Sequence, residues 1–356
     1  MPIVLPSATA AHKILVTGAN GFVAMWVIQA LLDEGFSVRG TVRSKEKGEW
    51  MGKKFEEFGE KFEWVVVGDI TKDGAFDEAV KGVVGVQHMA SPLITDGDDP
   101  DLFIQPAVHG TLGILKSAQK AGTEIRRIVI ISSCGAIMQQ VTPGDTTGPR
   151  ILDENDWGNI WVDLVKEKGK DVPQIFKYRA AKVLAEQGAW KWYEENKDVV
   201  GWDLVTLNPP YILGPAFQDV SKPSDLPSSL NAWYHYMFTE QPESLLTSSH
   251  CFVHVKDVAR AHVLALETEE AANQRIIISS EPATWQQNRD IVASIRPTLV
   301  DEEVLPVGNS SSKGTIGLVY NPAKSKRIFD LQYIGLESMI KDTVEFLEEK
   351  GIIGKK

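Results

Sequence analysis

The stretch Lys13–Ala24, KILVTGANGFVA, decides how this chain of 356 residues folds. It begins with an apolar run that is typical of a buried strand, and helical periodicity starts at Phe22, directly after two glycines. Gly18 permits a tight turn at φ values that a Cβ would disfavour, and Gly21 lets the backbone approach a pyrophosphate. The free N–H groups at the start of a helix bind such an anion. The stretch therefore predicts a dinucleotide site, and the alternative is a glycine-rich turn that binds no ligand.

Strands and helices alternate along the first 210 residues. Apolar runs predict further strands over residues 36–42, 62–67, 83–90, 127–133 and 204–207. Helices are predicted around residues 76–81 and over 106–121 and 174–196. This alternation is typical of an α/β fold, a Rossmann-type doubly wound parallel sheet with right-handed crossovers. We expect an N-terminal extension over 1–12, then a mainly dinucleotide-binding domain over 13–210 that also carries the catalytic residues.

The alternation loosens after residue 210, and residues 211–356 are expected to form mainly a smaller C-terminal substrate-binding lobe. Composition and periodicity predict loops over 141–157 and 218–229, a short strand over 251–255, and helices over 258–266 and 336–350. One strand and one helix of the lobe are expected to return to the first domain. Five aromatic side chains suit a cover over a bulky apolar substrate, with a place in the core as the alternative: Phe217, Trp233, Tyr234, Tyr236 and Phe238.

Composition argues against several functions. The net charge of −11 argues against a general binder of nucleic acids or anionic membranes, since either needs a basic surface. Cys134 and Cys251 are too few for a disulfide framework, and no Cys/His cluster has the spacing of a zinc site. No apolar run is long enough to span a bilayer, and the first residues lack the basic region of a signal peptide. We therefore expect a cytoplasmic protein without a metal site.

The residues after the second predicted strand indicate which dinucleotide is bound. A site that prefers NAD has an acidic residue at this strand end, where it binds the ribose 2′-hydroxyl. This chain has Arg43 there, followed by Lys45 and Lys47. Cationic side chains suit a 2′-phosphate, so the pattern favours NADPH over NADH, with a solvated basic turn as the alternative. At the end of the third strand, Asp69 is placed either to accept a hydrogen bond from an adenine amino group or to cap the following helix.

Tyr178 and Lys182 belong to the second informative motif, YRAAK. Residues four apart on a helix share a face, so the phenol and the ammonium project side by side. A tyrosine with the ordinary pKa of about 10 is a poor proton donor or acceptor at neutral pH. A neighbouring ammonium favours the phenolate, and the two side chains are therefore predicted to act as an acid–base couple. The spacing alone is common on exposed helix faces, and it matters here because it follows the dinucleotide pattern.

A serine pair ends the fifth predicted strand, at the sheet edge where ligands bind in open α/β folds. A hydroxyl there can donate a hydrogen bond to a substrate carbonyl oxygen as charge develops on it. Successive strand residues face opposite ways, so the register decides between Ser132 and Ser133. We predict the contact for Ser133 and a supporting position for Ser132, while a hydroxyl that only caps the strand end is the alternative. Cys134 is expected to pack rather than to act as a nucleophile.

Together these motifs resemble the extended short-chain dehydrogenases/reductases, and more narrowly the dihydroflavonol-reductase-like branch that includes fungal NADPH-dependent carbonyl and aldehyde reductases. The resemblance runs from about Lys13 to the C-terminus. It rests on VTGANGFVA at 16–24, VRGTVR at 38–43, HMASP at 88–92, PAVHGT at 106–111, SS at 132–133, YRAAK at 178–182, LNPP at 207–210 and FVHVKDVARAH at 252–262. Many members have an asparagine where this chain has His109, so a proton relay through that position is not implied.

The resemblance implies a reductase site with Ser133, Tyr178 and Lys182 as the catalytic residues. Tyr178 would protonate the alkoxide that forms when a hydride passes from NADPH to a carbonyl carbon. Ser133 would hold the oxygen, and Lys182 would bind the nicotinamide ribose. The residues expected to contact NADPH or NADP+ are Thr17, Gly18, Asn20, Gly21, Phe22, Val23, Arg43, Lys47, Asp69, Ile70, Ala90, Ser91, Pro92, Tyr178, Lys182 and Pro209.

The expected function is therefore the NADPH-dependent reduction of a ketone or aldehyde, a fairly apolar small-molecule carbonyl substrate, to an alcohol, with no nucleic-acid or membrane partner. A NAD-dependent nucleotide-sugar epimerase or dehydratase is the first alternative, but such enzymes usually have an acidic residue in place of Arg43. A non-catalytic NADP(H)-sensing regulator is the second, but such proteins typically lose a catalytic tyrosine or lysine that this chain keeps. Both a monomer and a homodimer are compatible with the sequence.

Overall fold

A computed structural model describes residues 3–6, 12–91, 97–122, 124–139 and 148–354. The strands are β1 Lys13–Thr17, β2 Ser37–Val42, β3 Phe62–Val66, β4 Gly85–His88, β5 Arg127–Ile131, β6 Arg150–Leu152, β7 Asp203–Asn208, β8 Tyr211–Leu213, β9 Ser249–His254, β10 Arg275–Ile277, β11 Pro282–Thr284 and β12 Leu318–Tyr320. The α-helices are α1 Phe22–Asp33, α2 Lys45–Lys54, α3 Asp101–Ala121, α4 Asn159–Lys168, α5 Gln174–Asn196, α6 Ser228–Phe238, α7 Glu243–Leu246, α8 Val255–Glu267, α9 Trp285–Ile295, α10 Pro297–Asp301, α11 Ala323–Phe329 and α12 Leu336–Glu349.

Seven parallel strands form the central sheet in the order β3-β2-β1-β4-β5-β7-β10. The chain runs outward from β1 to β2 and β3, then crosses back to β4 and continues in the other direction. A crevice forms outside the carboxyl ends of β1 and β4, where the strand order reverses, and ligands bind at this point in doubly wound folds. The arrangement confirms the predicted Rossmann-type α/β fold.

The two faces of the sheet are covered by different helices. Along β1, Ile14 and Val16 belong to a core with side chains of α1 and α8, whereas Leu15 belongs to a second core with side chains of α3 and α5. This separation follows from the alternation of side chains along a strand. Because both faces are buried, the strands are apolar throughout, as is typical of parallel sheets. Helix α5, which carries the YRAAK motif, is thereby held against the sheet.

The second half of the chain forms a smaller sheet, β8-β9-β11, and pairs β12 with β6. Its own core includes the fully buried rings of Trp233, Phe252 and Trp285. Two elements from this half join the main sheet: β10 pairs with β7, and α8 packs against α1. The division of the chain at residue 210 stays a prediction. Within the described ranges, no helix is both long and apolar enough to cross a bilayer.

Three local predictions are wrong. Residues 76–81 form hydrogen-bonded turns and not a helix, because Gly74 and Gly82, with φ of +72° and +68°, interrupt helical geometry on both sides. Strand β6 lies inside the predicted loop over 141–157, of which residues 141–147 lie outside the described part of the chain. It forms by pairing with β12, more than 160 residues away. Helix α6 begins before the predicted loop over 218–229 ends.

The aromatic residues predicted to cover a substrate pack elsewhere. Trp233 is fully buried, and its Nε1 donates a hydrogen bond to Asn288 Oδ1 at 3.0 Å. Tyr236 stacks on Trp285 with ring centres 4.3 Å apart. Phe217 packs against a tryptophan of α1, and Tyr234 against Phe238, with ring centres 4.5 and 5.3 Å apart. The alternative, a place for these aromatic side chains in the core, is the one that the structure supports.

Of the predicted N-terminal extension, residues 3–6 and 12 are described. Val4 is fully buried among side chains of the first core, and its N–H donates a hydrogen bond to the Leu266 carbonyl at 3.0 Å. This contact ties the beginning of the chain to the end of α8. Helix α3 begins at Asp101, five residues before the predicted start at Pro106, and the proline lies inside the helix.

Candidate active site

The glycine-rich turn brings the ends of β1 and β4 together. Gly18 has a φ of +62°, and a Cβ built on it would lie 2.9 Å from Ala90 Cα. Thr17 Oγ1 accepts hydrogen bonds from the N–H groups of Met89 and Ala90, each at 3.0 Å. Burial lowers the pKa of His88 to about 3, so its ring is neutral. Because Thr17 Oγ1 already accepts two bonds, it donates its own hydrogen to His88 Nδ1 at 2.9 Å.

A cleft of about 690 Å³ lies at the carboxyl ends of the central strands. Most residues predicted to contact a cofactor line it, namely Gly18, Asn20, Gly21, Phe22, Val23, Arg43, Lys47, Ile70, Ala90, Ser91, Tyr178, Lys182 and Pro209. Ser133 lines it as well. Further residues that the sequence did not single out belong to the same lining, among them Thr41, Met89, Gln218 and Ser228.

Three of the predicted cofactor residues do not belong to this lining. Thr17 is fully buried, and it shapes the cleft only through its hydrogen bonds to the backbone N–H groups of Met89 and Ala90. Asp69 is exposed, and its Oδ1 accepts hydrogen bonds from Thr71 N at 2.9 Å and Thr71 Oγ1 at 2.6 Å. These bonds lower the pKa of Asp69 and close a local turn, so Asp69 caps no helix. Its contact with an adenine stays a prediction. Pro92 lies outside the described residues.

The lining fits a dinucleotide that carries a 2′-phosphate. Helix α1 begins after Gly21 with no side-chain cap, so its first N–H groups remain available to a pyrophosphate at the cleft. The absence of a Cβ at Gly18 keeps the backbone of the turn close to that of β4. Arg43 and Lys47 are both exposed, and both line the same cleft. The helix N–H groups and the two cationic side chains supply anion-binding groups where phosphates of such a cofactor would need them, and Gly18 keeps the turn compact beside them.

We expect Gly18→Ala to raise the dissociation constant for NADPH by about tenfold or more. The substitution places a Cβ at a left-handed φ, which costs about 1–2 kcal/mol, and pushes the turn away from Ala90. A fluorescence titration with NADPH measures the effect. Gly82→Ala is a matched control, because Gly82 has a similar φ of +68° and no atom within 4 Å of its built Cβ. Equal affinities in the two variants would contradict the assigned role of the turn.

Ser133, Tyr178 and Lys182 line the cleft together. The first follows β5 by two residues, and the other two lie one turn apart on α5. Ser133 Oγ accepts a hydrogen bond from the Gly135 N–H at 2.9 Å. Lys182 Nζ lies 5.8 Å from the centre of the Tyr178 ring and donates to Ser91 Oγ at 3.4 Å. The phenol, the ammonium and the serine hydroxyl therefore border one space.

A second cleft, of about 310 Å³, shares five lining residues with the first, namely Ser133, Tyr178, Pro210, Ser228 and Ser229. Its other lining residues are mostly apolar or aromatic and include Met138, Ile175, Tyr211, Leu318 and Tyr320. The five aromatic residues predicted as a cover are absent from the described lining of both clefts. Two adjoining spaces, one suited to a dinucleotide and one to a small molecule, thus meet at a serine and a tyrosine.

A buried carboxylate lies beneath this meeting point. Glu186 Oε2 accepts hydrogen bonds from Ser132 Oγ at 2.5 Å and Asn208 Nδ2 at 2.8 Å, while Oε1 pairs with Arg275 Nε at 2.5 Å. Asn208 Nδ2 also donates to the Ser133 carbonyl at 3.1 Å. The network joins α5 to the ends of β5 and β7. Both serines line the first cleft, but the hydroxyl of Ser132 donates to Glu186, whereas Ser133 also lines the second cleft.

Comparison with known proteins shows which family the chain belongs to. A profile of the NAD dependent epimerase/dehydratase family matches residues 14–279. The chain belongs to this family. Among its relatives, the ketoreductase azaE of Aspergillus niger is 32% identical over 96% of this chain and 98% of its own length. The NADPH-dependent methylglyoxal reductase GRE2 of Saccharomyces cerevisiae is 33% identical over 93% of this chain and 96% of its own length.

A solved structure of a reductase is similar to this chain as well. The structure of yeast methylglyoxal/isovaleraldehyde reductase Gre2 in complex with NADPH is similar, with a TM-score of 0.84 and 31% identity over 96% of this chain and 100% of that chain. The resemblance to the reductase branch of the extended short-chain dehydrogenases/reductases is therefore confirmed.

Among the residues of this epimerase/dehydratase family member that sequence reasoning missed, three make contacts that shape the site. Arg179 lines the second cleft and stands inside the YRAAK motif, directly after Tyr178. Glu186 continues the helix face of the motif, four residues after Lys182. Gln218 Nε2 donates a hydrogen bond to the carbonyl of the glycine-rich turn at residue 20, 3.0 Å away. The first two could have been found from helical spacing, but the third depends on a distant loop.

The sequence implied no catalytic role for two further residues, and the structure shows where they lie. His109 is exposed on α3 and lies outside the described lining of both clefts. Cys134 is buried, and its Sγ lies 3.1 Å from the Asn208 carbonyl oxygen. Burial raises the pKa of the Cys134 thiol, which keeps it protonated and unsuited to nucleophilic attack.

Proposed function

We propose that this protein reduces aldehydes or ketones to alcohols with NADPH. The observation that carries the proposal is the position of Ser133 and Tyr178, which line both the cleft that fits a dinucleotide and the smaller cleft beside it. A carbonyl compound in the smaller cleft would reach a hydroxyl and a phenol at the border with the cofactor. The relatives support the same reaction, since they include a ketoreductase and an NADPH-dependent methylglyoxal reductase.

NADPH, when bound, supplies the hydride for the carbonyl carbon. Ser133 Oγ already accepts a hydrogen bond from the Gly135 N–H, so its own hydrogen is free to be donated to the carbonyl oxygen. The Tyr178 phenol transfers its proton to that oxygen and becomes a phenolate. Lys182, whose ammonium lies 5.8 Å from the ring centre, stabilises the negative charge until solvent returns a proton. The products are an alcohol and the oxidised cofactor.

Arg43 and Lys47 support NADPH rather than NADH as the cofactor. We expect Arg43→Ala to raise KM for NADPH by about 10–100-fold, because a charge-assisted contact with a 2′-phosphate contributes about 1.5–3 kcal/mol. KM for NADH, which lacks that phosphate, should change little. Lys45→Ala is the matched control, since Lys45 is exposed, pairs with Glu49 at 3.4 Å and lies outside the described lining of the cleft. A similar loss for both cofactors would overturn the assignment of Arg43.

The direct test follows NADPH absorbance with a panel of aldehydes, keto esters and aryl ketones, with NADH in parallel. Turnover with NADPH would support the proposal. Tightly bound NAD that co-purifies with the protein and is insensitive to free NADPH would favour a nucleotide-sugar epimerase or dehydratase. NADPH binding without turnover of any carbonyl compound would favour a regulator.

We also infer a cytoplasmic location and a monomer or homodimer. The location is supported by Cys134 and Cys251, which are both free thiols and both buried. Fractionation of the source cells tests the location, and size-exclusion chromatography with light scattering distinguishes the two oligomeric states.

A further inference from the structure

Arg179 lies next to the reacting groups. A Cβ built on Gly135 would lie 3.3 Å from Ser133 Oγ, 3.4 Å from Arg179 Cγ and 3.7 Å from Tyr178 Cε1. The stem of the arginine therefore runs beside the serine hydroxyl and the tyrosine ring. Arg179 lines the second cleft but does not belong to the described lining of the larger one. Arg179 thus borders the space proposed for the substrate.

Two aromatic rings hold the guanidinium of Arg179 in place. Its Cζ lies 4.8 Å from the centre of the Trp161 ring and 5.3 Å from that of Phe176, and the two rings stack on each other with centres 4.7 Å apart. These cation–π contacts orient the group without using its N–H donors. In the part of the chain that the structure describes, Arg179 forms no ion pair and no hydrogen bond through its guanidinium. Its donors are therefore available to a ligand.

The second cleft contains no other formal charge among its described lining residues. No aspartate or glutamate belongs to that lining, although the protein carries a net charge of −11. Burial, and then the charge of Arg179, lower the pKa of His250 to about 4, so this histidine is neutral. Burial raises the pKa of Tyr211 to about 12, so its phenol is neutral too. A partly buried cation without a counter-charge is costly, and an anionic ligand would remove that cost.

We infer that Arg179 binds a carboxylate of the substrate, so that the protein acts on keto acids or aldehyde acids in preference to neutral carbonyl compounds. The inference rests on the proposed reductase function and names the substrate class of the same site. The planar guanidinium matches a carboxylate with two parallel hydrogen bonds, while Ser133 and Tyr178 hold the carbonyl oxygen at the other end. A volume of about 310 Å³ suits a small molecule of this kind.

The test compares α-, β- and γ-keto acids with their methyl esters, which lack the negative charge and carry one additional methyl group. We expect the wild-type protein to prefer an acid over its ester by about tenfold or more in kcat/KM. Arg179→Met keeps an apolar stem on Trp161, and it should lower kcat/KM for the acid by about 10–100-fold, mainly through KM. The ratio of kcat/KM for the acid to that for the ester should therefore fall. Arg179→Lys, which keeps the charge, should restore part of the preference.

One further measurement separates this inference from the proposed function. Calorimetry with a saturated carboxylic acid, which cannot react, should show binding to the wild-type protein in the presence of NADP+ and much weaker binding to Arg179→Met. Arg327→Met removes an exposed cation of α11 and should behave like the wild type. Ester reduction without any preference for acids, or an unchanged preference in Arg179→Met, would overturn the role of Arg179 and leave the reductase function standing. Carboxylate binding without turnover of acid or ester would support the role of Arg179 and overturn the proposed reductase function.

Discussion

Replacing Tyr178 by phenylalanine will lower kcat for carbonyl reduction by about 10²–10⁴-fold, the contribution that a positioned general acid makes. The change removes one oxygen and keeps the ring that Lys182 Nζ approaches to 5.8 Å. The lysine remains 3.4 Å from Ser91 Oγ, so the cofactor cleft should keep its shape. The dissociation constant for NADPH should therefore stay close to that of the wild-type protein. Steady-state NADPH oxidation and a fluorescence titration measure the two quantities.

Tyr234→Phe is the matched control for this variant. Tyr234 lies on α6, packs against Phe238 at 5.3 Å between ring centres and lies outside the described lining of both clefts. Its loss of a hydroxyl should leave kcat unchanged. If Tyr178→Phe kept more than a tenth of the wild-type kcat, another group would have to protonate the alkoxide. If it lost NADPH binding as well, the tyrosine would act on cofactor binding and the loss of turnover would not measure proton transfer.

Replacing Asp203 by alanine will lower the free energy of unfolding by about 3–5 kcal/mol, because it leaves a buried arginine without a counter-charge. Asp203 and Arg127 face each other at the first residues of β7 and β5, and both are fully buried. Their oxygens and nitrogens pair twice, at 2.5 and 2.9 Å. Arg127 Nη1 also donates to the carbonyls of Ala265 and Thr268, at 2.7 and 2.6 Å. Urea unfolding followed by tryptophan fluorescence measures the loss.

The double variant Arg127→Met with Asp203→Leu separates the cost of an unpaired charge from the cost of lost packing. Replacing both charges by apolar groups is often tolerated, so this variant should recover more than half of the lost stability. The pair lies at the amino ends of the strands, whereas Ser133 follows the carboxyl end of β5, so kcat of the folded protein should change in neither variant. A loss below about 1 kcal/mol in Asp203→Ala would show that water or a neighbouring group compensates for the missing carboxylate.

Features that depend on neighbours along the chain could be predicted from the sequence alone. The strand, turn and helix of Lys13–Ala24 follow from an apolar run, two glycines and helical periodicity, all within twelve residues. Tyr178 and Lys182 share a face because they lie four residues apart on one helix, which the prediction bounded correctly at 174–196. The alternation of strands and helices was sufficient to predict the central sheet, since parallel strands require crossover helices.

Features that depend on distant partners could not be predicted in this way. The hydroxyl of Ser132 donates to Glu186, 54 residues away, and the sequence alone leaves open which of the two serines keeps its hydroxyl hydrogen for a ligand. Strand β6 exists only because β12 pairs with it. The aromatic residues of α6 have a spacing that suits a cover as well as a core, and contacts with α9 place them in the core. In each case the local sequence is compatible with two arrangements, and long-range packing decides which of them forms.

The sequence by itself determined the fold class, the dinucleotide turn, the basic strand end at Arg43 and the Tyr178–Lys182 pair, because each depends on spacing within one element or one turn. Only the tertiary structure showed that Arg179 lines a second cleft, with its guanidinium against two aromatic rings and its stem near the serine hydroxyl. The sequence shows that residue 179 is an arginine. Whether that arginine has a counter-charge depends on every residue that packs around it. The substrate class proposed for this site is therefore a tertiary property.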